Sequence, residues 1–129
     1  MQSDLYIVDL EEAAAPCLGP KSQAHRNMAV IDAEARKGLR RARFQYDRMI
    51  VKSAPLTYMV EIAFDKREPP VGIMIPNSAR IDLIAEHIEM EIDYMRYLYG
   101  KRKDPPPWAA GAQEPDPDKR RDLWERIRS

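Results

Sequence analysis

The sequence predicts a small α+β domain of order β-α-β-β-α. Two long amphipathic helices lie on one face of a short, mainly antiparallel sheet, and a proline-rich tail follows that ends in a short helix. Three observations carry this reading. Apolar residues recur at spacings of three and four through two long runs, 22–52 and 78–99, which is the period of a helix face. Between those runs, 56–65 alternates at period two with one strongly apolar side, as a strand covered on one face does. Prolines at 55, 69, 70 and 76 then interrupt the chain where these patterns change.

The elements follow in order. Leu5-Tyr6-Ile7-Val8 is a short run of strand formers, and 14–20 reads as a loop because it holds two prolines and a glycine. From Ser22, a plausible N-cap, to about Lys52 one helix is expected. Met28, Ile31, Ala35, Leu39, Ala42, Tyr46 and Met49 form its stripe. Gly38 inside it costs about 1 kcal/mol relative to alanine. Leu56, Tyr58, Val60, Ile62 and Phe64 share the apolar face of the next strand, and Val71–Ile75 forms its hairpin partner. Pro70 and Pro76 flank that partner and suit a sheet edge. Asn77 or Ser78 should cap the second helix, which runs to Tyr99 with Ile81, Ile84, Ile88, Ile92, Met95 and Tyr99 on its main stripe. Gly100 fits the position just past its end. In the tail, Pro105–Pro107 favours polyproline II and should hold Trp108 away from that helix. Asp116 followed by Pro117 starts a final helix.

These elements divide the chain into a compact domain, 1–100, and a tail, 101–129 with a docking helix, and the domain is expected to fold without the tail. Lysine plus arginine equals aspartate plus glutamate at 21 each, so the formal charge is zero. A globally basic nucleic-acid binder is disfavoured, and only a local basic face remains open. The single cysteine, Cys17, allows no internal disulfide and no cysteine-rich metal site. The amino terminus lacks the pattern of a secretory signal and no apolar run could span a bilayer, so a cytoplasmic protein is expected.

Chemistry-bearing patterns are few. His87 and Glu91 lie four apart on one helix face, a spacing that can hold a metal, but no third ligand is patterned with them. No phosphate-binding loop, dinucleotide fingerprint or serine elbow occurs. Catalytic residues, metal ligands and cofactors are therefore not assigned. A small hydrolase or metal site around His87 stands only as a third reading, behind the two that follow.

Both tryptophans, Trp108 and Trp124, sit in the tail. Side chains of that apolar size are seldom left in solvent, so the tail should dock on its own core or on a partner. Trp108, Leu123, Trp124 and Ile127 are the candidate partner-binding residues. Arg36, Lys37, Arg40, Arg41 and Arg43 form a basic face with Phe44 inside it, while Asp82, Glu86, Glu89 and Asp93 form an acidic ridge on the second helix. The first reading is a non-catalytic protein-interaction or assembly subunit: an adaptor, particle component or inhibitor. It would bind a protein, or itself, through the tail and the charged helix faces. The alternative is a nucleic-acid-binding accessory protein that uses the arginine face, with Phe44 stacking on a base.

Overall fold

The computed structural model describes residues 16–128, and the strand expected at Leu5–Val8 lies outside them. After a 3-10 turn (Lys21–Gln23) come helix α1 (Ala24–Arg41), strands β1 (Arg48–Ser53), β2 (Thr57–Ala63) and β3 (Val71–Pro76), helix α2 (Ile84–Gly100) and helix α3 (Pro117–Arg128). The domain is α+β, as the two periodicities require. Among the described residues the sheet is fully antiparallel with order β1-β2-β3, which puts β3 at an edge, as its flanking prolines indicate.

The first long run does not stay helical to Lys52. It ends at Arg41, Arg43 takes a positive φ of 53°, and 48–53 becomes β1. Over so short a stretch, Tyr46 and Met49 fit a helical spacing while Met49 and Val51 also fit period two. The sheet decides between them by pairing Met49 with Ile62 and Val51 with Val60. Expected caps shift too. Helix α1 begins at Ala24 after the 3-10 turn, and Ser78 lies in a turn at positive φ, with a second 3-10 turn (Ile81–Leu83) leading into α2.

Cross-strand rows Met49–Ile62–Val71, Val51–Val60–Ile73 and Ser53–Tyr58–Ile75 line one face of the sheet, and α1 and α2 cover it. Ile31, Leu39, Val60, Ile62, Ile75, Ile84, Ile88 and Ile92 are fully enclosed there. Gly38 has a packing reason. A Cβ at that position would lie 2.5 Å from the Ala85 carbonyl oxygen and 2.9 Å from Ile88 Cβ, so its absence lets α1 and α2 meet backbone to backbone. Buried Asn27 ties the loop to the sheet. Its amide donates to the Gly19 carbonyl (2.9 Å) and the Tyr58 hydroxyl (2.9 Å), and its carbonyl accepts from the Gly19 N–H (3.0 Å).

The tail returns to the body. The Pro106 carbonyl accepts from the Ala109 and Ala110 N–H groups, so the triple proline closes a turn rather than a spacer. Trp108 therefore lies against α2, its ring 5.0 Å from Tyr99 and 4.7 Å from Phe64, instead of being held away. Gly100 ends α2 as a helical residue, and a Cβ there would lie 2.5 Å from the Ala109 carbonyl oxygen. Asp116 caps α3 as expected, its Oδ1 accepting from the Asp118 N–H at 2.9 Å. Leu123 and Ile127, at 2% and 0% exposure, belong to the main core, and the Ile127 carbonyl accepts from the Arg80 N–H at 3.1 Å.

Candidate functional site: a groove along the edge of β3

A cavity of about 570 Å³ opens between β3, α2 and α3. Its floor is the backbone of β3. Ala54 N–H donates to the Thr57 carbonyl at the β1–β2 turn, so the bonded pairs of that ladder involve Thr57, Met59 and Glu61. Tyr58, Val60 and Ile62 then turn their backbone groups the other way, toward Ile75, Ile73 and Val71 on β3. Gly72 and Met74 are left pointing their N–H and C=O groups out of the sheet, into the groove. The Met74 carbonyl confirms the direction, because His87 Nε2 reaches it from α2 at 3.0 Å.

That contact fixes the state of His87. A carbonyl can only accept, so the neutral ring carries its proton on Nε2 and presents Nδ1 as an acceptor. Burial, first of all, pushes the imidazole below its ordinary value, and Arg120 adds to this, while the Met74 carbonyl and Glu91 act in the opposite direction. Glu91 takes both Nε (2.6 Å) and Nη2 (3.0 Å) of Arg120 in a forked pair. The guanidinium also stacks 3.7 Å from the Tyr94 ring centre. Trp124 completes the wall, half-buried, with its ring 5.5 Å from that of His87.

The sequence pairs His87 with Glu91, but the fold gives each a different partner. With both oxygens on Arg120, Glu91 does not orient the imidazole, so the two do not form a base with its orienting carboxylate. Among the described residues no group of three or more histidine, cysteine, aspartate or glutamate side chains converges to hold a metal. Among the described residues the groove offers two aromatic walls, one neutral acceptor and a backbone edge with no strand beside it.

The four tail candidates separate. Trp124 lines the groove, whereas Leu123 and Ile127 are enclosed in the chain's own core and do not face a partner. Trp108 joins Phe44, Phe64 and Tyr99 in an aromatic cluster at the other end of α2, beside a second cavity of about 500 Å³.

Phe44 is 6% exposed in that cluster, so it cannot stack on a base within an arginine face. It lies beyond the end of α1, and the turn at Arg43 sends its ring inward. Arg36, Lys37, Arg40, Arg41 and Arg43 are all exposed. Arg36 pairs with Asp32 and Lys37 with Glu34, both at 3.0 Å, while Arg40, Arg41 and Arg43 have no carboxylate partner among the described residues. No α1 arginine reaches the acidic ridge of α2. There Asp82 pairs with Arg80 at 2.9 Å, Asp93 lies 3.9 Å from Arg96, and burial raises the Asp93 carboxyl above its ordinary value.

Sequence reasoning missed Tyr94, Arg120 and the outward amides of Gly72 and Met74. The prolines around β3 were the one available signal, since they mark an edge. The Arg120–Glu91 pair joins residues 29 apart and leaves no local pattern. No helix among the described residues is long and apolar enough to cross a membrane. No protein-family model matches the chain, and neither curated proteins nor solved structures include a match to it.

Proposed function

We propose that the chain is a non-catalytic interaction or assembly subunit of the cytoplasm that binds a protein partner through the groove its own tail closes. Trp124 supports this reading more than any other residue. It is a large amphipathic ring, half-buried at the wall of a cavity, with polar groups around it, the setting in which interface anchors concentrate binding energy. Leu123 and Ile127 serve by holding α3 in place, so that Trp124 is presented at a fixed position. A single cysteine suits a reducing compartment, where no disulfide is maintained.

The nucleic-acid reading keeps one specific support, the three exposed arginines 40, 41 and 43 at the end of α1 without carboxylate partners. Arginine at a helix carboxyl end also complements the helix dipole, which accounts for part of this cluster without any ligand.

Affinity purification of the full chain tests both readings, with the retained species identified by mass and by absorbance ratio. The expected outcome is a protein partner whose binding weakens by roughly 2 kcal/mol or more in Trp124→Ala. Retained nucleic acid, lost at raised salt and in an Arg40→Gln/Arg43→Gln variant, would transfer the function to the arginine face. A partner indifferent to Trp124→Ala would remove the groove from the proposal.

A further inference from the structure

We infer that the groove receives an extended peptide segment of the partner, which adds a strand to the open edge of β3. This rests on the protein-binding reading above and names the mode of binding and the chemistry of the bound segment. Gly72 presents an outward N–H and C=O, and Met74 an outward N–H, none with a backbone partner among the described residues. Donors and acceptors on alternate residues recur about 6.8 Å apart along a strand, and another extended backbone matches that spacing and order. A small ligand of one functional group does not.

His87 sets where such a ladder ends. Its Nε2 already occupies the Met74 carbonyl, so the added strand is centred on Gly72 and runs short. Residues of the peptide alternate in direction. The one opposite Ile73 turns toward the helices, between Tyr94 and Trp124 and near His87 Nδ1. An aromatic or long apolar side chain fits there, and a donor at its tip would satisfy Nδ1. The peptide's flanking side chains turn to the uncovered face of the sheet, where Met74 of β3 is 45% exposed. The cavity volume is within the range of sites that enclose a ligand of this size.

The test uses the full chain and random linear peptides displayed on phage, selected against the wild type alone and then titrated against both the wild type and Gly72→Pro. Proline at 72 removes an outward amide while every β2–β3 ladder bond stays in place; its added Cβ lies 2.9 Å from Met59 Sδ, a flexible side chain that can turn aside, so the melting temperature should fall only slightly. Selected peptides should bind Gly72→Pro about tenfold more weakly, the loss of one ladder bond and its neighbour's geometry. Their binding should slow hydrogen exchange at the Gly72 and Met74 amides, and leave Ile73 and Ile75, already bonded to β2, unchanged. If Gly72→Pro disturbs the sheet, peptides N-methylated at alternate positions give the same answer on the unaltered chain, since only one set of positions should lose affinity.

Peptides that need Trp124 but leave the Gly72 and Met74 amides exchanging freely would overturn strand addition and leave the protein-binding reading intact. Peptide binding that appears only when residues 1–15 are removed would give the edge to the chain's own amino-terminal segment. A dimer in sedimentation that Gly72→Pro dissociates would give it to a second copy. Either result refutes the partner peptide. Failure to select any peptide, with no Trp124-dependent protein partner, would defeat both readings together.

Discussion

Ile127→Ala asks whether the tail is part of the folding unit. Ile127 is fully buried, one residue from the end of α3, and its backbone carbonyl binds the Arg80 N–H. Truncating a buried isoleucine to alanine costs about 2–5 kcal/mol, the transfer of the lost carbons plus the cavity they leave. If α3 unfolds with the rest of the chain, a loss of about 3 kcal/mol should lower the melting temperature of a domain this size by about 12 °C. If α3 is a separable appendage, the cost cannot exceed its own docking free energy. The helix would then leave its seat and the body would melt as before. Far-ultraviolet circular dichroism follows the whole chain, and tryptophan fluorescence follows the tail alone, because Trp108 and Trp124 are the only tryptophans. The expected result is one coincident transition by both probes, shifted down together. An unshifted dichroism transition with an early fluorescence change would refute the shared core and support an independent 1–100 domain.

Gly38→Ala should lower the melting temperature, although alanine is the better helix former by about 1 kcal/mol, because the new Cβ meets the Ala85 backbone oxygen; a higher melting temperature would contradict the close approach of α1 and α2. Asn27→Ala should cost about 2–3 kcal/mol in chemical denaturation, since it strands the Gly19 N–H and the Tyr58 hydroxyl, and a loss under 0.5 kcal/mol would mean that water replaces them freely. His87 gives a pH dependence with a defined sign. Its folded value lies below the ordinary 6.5, so the unfolded chain takes up a proton first as pH falls. Stability present above pH 6.5 should therefore decline below it, until the pH passes the lowered folded value. His87→Gln, which keeps a donor for the Met74 carbonyl, should flatten that decline; equal slopes for both chains would assign the pH dependence elsewhere.

The sequence by itself determined what depends on near neighbours. The stripe Ile84-Ile88-Ile92 made α2 a helix with a buried face, and period two made β2 a strand covered on one side. Asp116 and Pro117 set the start of α3, and Pro70 and Pro76 placed β3 at an edge. Each of these follows from the dihedral or hydrogen-bonding limits of a few adjacent residues. Tertiary structure alone decided the end of α1, because Met49 satisfies two periods and only Ile62 across the ladder selects one. It also decided that Phe44 turns inward to Trp108, that Arg120 takes Glu91 away from His87, and that Leu123 and Ile127 fill their own chain's core. Two tryptophans in a tail require burial, but which surface covers them is set by the shape that distant residues make together. No spacing along the chain encodes that shape.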